Sequence, residues 1–438
     1  MKEFALINGK IVTHEKVFDG TIFVKDGKID CVKDGHVDTG DVEKVDVSGK
    51  FILPGLVDVH VHFRTPGNTE KEDWIHGSKA ALAGGVTTVL DMPNNNPPVV
   101  SQESLESKRA LVKDEALVNF GFYAGATKDN VSEVAAMKGI AGVKIYMGSS
   151  TGGLLVDDLQ TLEKFMTETD HLIVLHAENE ACIREYARQF DGDESPSAHS
   201  KIRDPRCAYE AVKDALHLAK KYKRRTHLAH VSTVAELDTI RKFKEDYISA
   251  EVTPHHLFLT DADYGQYGNL IRVNPPVRGL ADQVALWQAL KDGTIDMIAT
   301  DHAPHLIVEK NLPYLQAPSG VPGVQTMLPL MLNAVNEGRI SLEKVVELTS
   351  FNPAMKFGIL GKGLLEAGYD ADITIVDMDK SERICHKFLW SKCNWSPFHN
   401  WVLKGFPVKT FVGGNLMYEW RDSFWEEIGQ EVEFEGKI

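Results

Sequence analysis

The chain has 438 residues, 43% of them hydrophobic and 25% charged, with a formal net charge of −15. That length accommodates one large domain plus a smaller one with a substantial core. The acidic balance argues against nucleic acid or an anionic membrane as a partner, but leaves a small anionic substrate open, because local charge decides that.

The first fifty residues read as short β-runs separated by turns. Phe4-Ala5-Leu6-Ile7 is followed by Asn8-Gly9, and Thr21–Val24 by Asp26-Gly27 and Ile29–Val32. Asn-Gly and Asp-Gly between β-rich runs are hairpin signals. The same texture returns at Ala371–Asp377 and at Val408–Val412 with Gly413-Gly414-Asn415. Both chain ends are therefore expected to build one small β-sandwich, with residues 1–52 and 359–438 bracketing residues 53–358.

Between them, strand and helix patterns alternate. Eight strands are predicted: Leu56–His62, Thr87–Met92, Asn119–Ala124, Gly142–Met147, Leu172–His176, Thr226–His230, Ile248–Thr253 and Ile295–Thr300. Helical patterns such as Glu72–Ala83 and Pro205–Lys220 lie between most of them. Eight β-then-α units imply an α/β fold, a closed (β/α)8 TIM-like barrel; an open doubly wound sheet is the alternative. The Pro-rich stretch 306–322 after the eighth strand reads as a long loop at the functional end of a barrel.

Chemically capable residues collect at the ends of these strands. His60 and His62, two apart, share a face of the first strand. Lys144 ends an apolar strand, where an inward lysine must snorkel, pair or react; a neutral amine there would take up carbon dioxide to become an anionic carbamate. His176 and His230 end two more strands, and Asp301 follows the eighth. Imidazole and carboxylate are zinc ligands, so the pattern points to a metal-dependent hydrolase. Asp301 suits a general acid/base role, with a helix cap as the plain alternative. His302, His255 and His256 read equally as packing or supporting residues.

Arg64 lies two residues after His62, and guanidinium binds carboxylates bidentately. Asn94, Asn274 and His305 also follow strand ends and are candidate substrate contacts. Five scattered cysteines with no CxxC pair are expected to be reduced thiols of a cytoplasmic protein. The N-terminus shows no signal-peptide pattern, and no apolar stretch is long enough to span a bilayer.

Taken together, DVHVHFR (58–64), DMPNNNPP (91–98), GVKIYMG (142–148), HAEN (176–179), LAHVST (228–233), RVNPPVR (272–278) and TDHAPH (300–305) resemble the cyclic amidohydrolases of the amidohydrolase superfamily. Within that group they look most like the dihydroorotase branch of the longer, barrel-plus-sandwich type. The chain departs from the commonest pattern of that branch at HAEN, Arg272 and Gln325. The resemblance implies two zinc ions per subunit, bridged by carbamylated Lys144 and a hydroxide. His60, His62, Lys144 and Asp301 would hold one ion, and Lys144, His176 and His230 the other. Arg64, Asn94 and His305 would bind the substrate carboxylate, Asn274 the ring, and Asp301 would act as acid and base. The implied reaction interconverts N-carbamoyl-L-aspartate and L-dihydroorotate in pyrimidine biosynthesis, with a homodimer as the default assembly. Hydantoinase-, dihydropyrimidinase- and allantoinase-like activities are the nearest rivals, and a non-catalytic partner subunit is a third reading.

Overall fold

The computed structural model describes residues 3–149, 154–420, 423–425 and 427–435. The outermost residues of both expected end segments lie outside these. The N-terminal run forms β1 (Glu3–Val12), β2 (Val17–Lys25), β3 (Lys28–Asp34), β4 (Glu43–Asp46) and β5 (Phe51–Pro54). The C-terminal part supplies β15 (Ile373–Arg383), β16 (Val402–Val412), β17 (Asn415–Glu419) and β18 (Ser423–Phe424). These join in one continuous sheet, ordered β18-β17-β16-β15-β5-β1-β2-β3, with β4 paired to β1. The junction is β5, parallel to β1 and antiparallel to β15. Phe4, Leu6, Ile11, Ile22, Ile373 and Phe411 form its own core.

Between the two ends run β6 (Leu56–Val61), β7 (Val86–Asp91), β8 (Asn119–Phe122), β9 (Ala124–Gly125), β10 (Val143–Tyr146), β11 (Ile173–His176), β12 (Thr226–Leu228), β13 (Ile248–Val252) and β14 (Met297–Ile298). All pair in parallel. β8 and β9 are one barrel strand interrupted at Tyr123, whose N–H still donates to Asp91 O at 3.2 Å. The ring closes where the first strand meets the segment after the eighth: Val61 bridges His302, and His62 N–H donates to His302 O at 2.8 Å. Eight parallel strands in a closed ring are a (β/α)8 barrel.

Helices follow the strands. Trp74–Ala83 is capped by Asp73, whose carboxylate accepts from His76 N–H. Pro205–Tyr222, with Pro at its first turn, is capped by Asp204. Val57, Val59, Leu90, Tyr123, Val174 and Met297 pack together within the strand layer, so the barrel is filled rather than hollow. A second, larger apolar layer joins strands to helices, with Trp74 wedged edge-on against Phe63, Phe120 and Phe122.

The expectation of reduced thiols fails for two of the five cysteines. Cys182 and Cys207 form a disulfide, while Cys31, Cys385 and Cys393 are free. The helix Glu180–Gln189 and the first turn of Pro205–Tyr222 are drawn together, with Asn179 N–H donating to Cys207 O at 2.9 Å. Only this tertiary approach makes the pair, which is 25 residues apart in the chain. Among the described residues, no helix is long and apolar enough to cross a membrane.

Trp74 is fully buried, so Trp74→Ala should cost about 3–5 kcal/mol of unfolding free energy. Denaturant titration checks this; a loss below about 1 kcal/mol would show that the ring contacts do not hold the helix to the barrel.

Candidate active site

One small cavity at the C-terminal ends of the strands is lined by His60, His62, Lys144, Tyr146, His176, His230, Asn274, Asp301, Ala303, Ser319 and Gly320. Residues more than 200 positions apart thus meet because the barrel gathers the same end of every strand. His60, His62 and Asp301 place one ligand atom each within 4.8 Å of one another. Asp301 Oδ1 lies 3.1 Å from His62 Nε2 and 3.4 Å from His60 Nε2. The far nitrogens are occupied: His60 Nδ1 contacts Glu251 Oε1 at 2.5 Å, and His62 Nδ1 contacts Asn94 Oδ1 at 2.7 Å. An imidazole that donates from Nδ1 keeps its lone pair on Nε2, so both lone pairs face Asp301.

The second half of the site has the opposite tautomer. His176 Nε2 meets Glu178 Oε2 at 2.9 Å, which leaves Nδ1 for the site, 2.9 Å from His230 Nε2. Glu178 is itself held by Arg203. Burial keeps His176 and His230 neutral by lowering their pKa values, and brings His62 down to about 4 despite the pull of Asp301. Neutral imidazole is the form that binds metal.

Lys144 lies among these groups, fully buried, and its Nζ has no hydrogen-bond partner among the described residues. Burial lowers its pKa to about 8, with Glu251 and Asp301 opposing the fall. An orphaned, easily neutralised amine that shares its cavity with four histidines and an aspartate fits the chemistry of a carbamate ligand. The donor set as a whole fits metal binding: neutral imidazoles with oriented lone pairs, one carboxylate, and an amine with no hydrogen-bond partner among the described residues.

The expected carboxylate contacts divide. Arg64 and His305 sit together, with Arg64 Nη2 3.4 Å from His305 Nε2 and Arg64 Nε donating to Pro304 O at 3.2 Å. Neither is among the residues that line the small cavity. Asn94 is joined to His62 through its side-chain oxygen and so orients a metal-ligand candidate. Asn274 lines the cavity and accepts from His199 Nε2 at 2.8 Å. His302 is structural: it contacts Glu72 at 3.2 Å and accepts from Gly323 N–H at 3.0 Å. His256 contacts Thr253 and Pro275 O, which makes it a packing residue too. His255 is buried with Nε2 unpartnered among the described residues.

Within the 306–322 stretch, a short helix, Ile307–Lys310, interrupts the loop. Its return segment brings Ser319 and Gly320 to the cavity wall. Gly320 has φ +137°, and a Cβ there would collide with Ala303 O, so only glycine fits this close approach. Lys310 Nζ ties the segment down by donating to the carbonyls of Arg272, Pro318 and Gly320 at 2.9–3.0 Å.

Sequence reasoning did not single out Glu251, the most connected group of the site. It accepts from His60, from His227 Nε2 at 2.9 Å and from His230 N–H at 3.2 Å. The available signal was a glutamate inside the otherwise apolar and small run Ile248–Val252.

Residues 51–417 match the amidohydrolase family, and the chain belongs to it. Its relatives include the dihydroorotase of Methanosarcina acetivorans, 40% identical over 95% of this chain and 92% of that one. The dihydroorotase of Pyrococcus furiosus is 34% identical over 99% and 97%. Among solved structures, the L-hydantoinase (dihydropyrimidinase) of Arthrobacter aurescens superposes with a TM-score of 0.95 at 30% identity, covering 99% of this chain and 100% of that one. The chain is thus a cyclic amidohydrolase of the dihydroorotase group.

Glu251→Gln keeps the shape but removes the charge that binds two imidazoles. It should weaken zinc affinity about 10–100-fold, as loss of a ligand's supporting partner does. Competition with a chelator measures this; unchanged affinity would remove Glu251 from the account.

Proposed function

We propose that this enzyme catalyses the reversible cyclisation of N-carbamoyl-L-aspartate to L-dihydroorotate. The observation that carries the substrate assignment is Arg64. Its guanidinium is buried and makes no ion pair among the described residues; its Nε donates to Pro304 O, and its Nη2 lies 3.4 Å from His305 Nε2. A buried cation without an anion is costly, and a substrate carboxylate would supply the anion. The 34–40% identity to dihydroorotases over nearly the whole chain supports the same substrate.

His60, His62, Asp301 and carbamylated Lys144 would hold one zinc ion, and Lys144, His176 and His230 a second. A bound metal pair supplies a polarised ring carbonyl and an activated water. Lys144 gains its ligand oxygens when its neutral Nζ attacks carbon dioxide, forming an N–C bond and losing a proton. Asp301 holds the proton removed from water and gives it to the ring nitrogen as the amide C–N bond breaks. In the biosynthetic direction it takes a proton from the attacking nitrogen instead. Arg64 and His305 bind the substrate carboxylate, Asn274 reads the ring, and Asn94 steadies His62.

The same reading assigns residues 53–358 to catalysis and 1–52 with 359–438 to the β-domain. It places the enzyme in pyrimidine biosynthesis in the cytoplasm, as a homodimer. A hydantoinase-like activity is the second reading, supported by the TM-score of 0.95 to the L-hydantoinase.

Lys144→Ala should abolish most turnover of L-dihydroorotate and lower the metal content; near-normal turnover would refute the carbamate role. Arg64→Lys should raise KM about tenfold or more, because a point charge cannot reproduce a bidentate grip. An unchanged KM would remove Arg64 from substrate binding.

A further inference from the structure

His305 is buried between two cations. Lys71 Nζ lies 3.2 Å from its Nδ1 and pairs with Glu309 at 2.9 Å. On the other side, His305 Nε2 lies 3.1 Å from Ser319 O and 3.4 Å from Arg64 Nη2. An ammonium has three donors and no acceptor. The bond from Lys71 therefore requires the lone pair of His305 on Nδ1, and a neutral imidazole then carries its proton on Nε2. That N–H donates to Ser319 O. It also stands beside the Arg64 guanidinium as a second donor, since two N–H groups cannot bond to each other. Burial and the charges of Arg64 and Lys71 depress the pKa of His305 and keep it neutral.

We propose that Lys71 is a positioning residue: it locks His305 in the Nε2–H tautomer, so that His305 and Arg64 present adjacent donors to the substrate carboxylate. This rests on the binding role assigned above to Arg64 and His305. The alternative tautomer is within reach, because Glu309 Oε2 lies only 3.7 Å from Nδ1. Without the ammonium, Nδ1–H donates to Glu309 and Nε2 accepts from Arg64, two charge-assisted bonds that together outweigh the neutral one given up to Ser319 O, and the carboxylate then meets a lone pair in place of a donor. Lys71 does not touch the reacting atoms; it acts through His305.

The test is the ring 15N NMR spectrum of His305 in zinc-loaded, substrate-free protein, assigned by its loss in His305→Asn. The wild type should show a protonated Nε2 and a bare Nδ1. Lys71→Met should move the proton to Nδ1, and Lys71→Arg should restore the original form. In parallel, Lys71→Met should raise KM for L-dihydroorotate about tenfold or more, the worth of one hydrogen bond to a charged group, with kcat little changed, and Lys71→Arg should recover most of it. An Nε2–H tautomer that survives in Lys71→Met overturns the proposal. So does a tautomer that moves while KM stays fixed. A lock that behaves as stated in a wild type that does not turn over dihydroorotate upholds the tautomer control and overturns the substrate reading alone.

Discussion

The site depends on one buried anion, the carboxylate of Glu251 in β13. Burial alone would raise its pKa, but His60 and His227 more than reverse that and hold it ionised. A charge this deep is tolerated only when fully hydrogen-bonded, and Glu251 spends its two oxygens on His60, His227 and the backbone N–H of His230. Three strands of the barrel are thereby tied to one group, and the Nε2 of His60 is left facing Asp301. Asp58 does similar work one layer across. It accepts from Thr300 N–H at 3.0 Å and Thr300 Oγ at 2.5 Å, which sets the turn that presents Asp301. The candidate ligands are thus aimed by acidic groups deeper in the barrel, and their directions do not depend on flexible loops.

That rigidity supports local strain. Arg64, His230 and Asp301 have φ of 61°, 40° and 45°. Non-glycine residues in this region cost roughly 1–3 kcal/mol each. All three are at strand ends where the chain turns sharply to project a side chain into or beside the site. The surrounding ring of strands and the filled core beneath them hold these conformations in place. Arg64 adds an electrostatic cost of the same kind, a buried cation with no ion pair among the described residues, which binding of an anionic substrate would relieve.

The barrel was legible because strands buried on both faces read as apolar runs with turn residues at their ends. Every predicted barrel strand overlaps an observed one. The boundaries were less so: the third strand breaks at Tyr123, and the eighth shrinks to Met297–Ile298, since pairing geometry decides where a ladder stops. Residues that project into the site from the strands or their ends, such as His60, Lys144 and Asp301, announce themselves by being polar where the pattern is apolar. Glu251, next to last in β13, obeys the same rule, but it acts on the ligand candidates from beneath and is not itself one of the residues that line the cavity. Its partners, up to 191 residues away, exist only in the folded chain. The pairing of Lys71 with His305, the Asn94–His62 bond and the Cys182–Cys207 bridge are likewise properties of the tertiary structure, with no local spacing to reveal them.

The most direct test is to supply purified, zinc-loaded protein with L-dihydroorotate, a 5-substituted hydantoin and allantoin in parallel, and to measure ring opening of each. Rapid hydrolysis of L-dihydroorotate, with little or none of the uncharged rings, is the result the account predicts. Efficient opening of an uncharged ring with no turnover of dihydroorotate would contradict it and leave Arg64 as a structural cation.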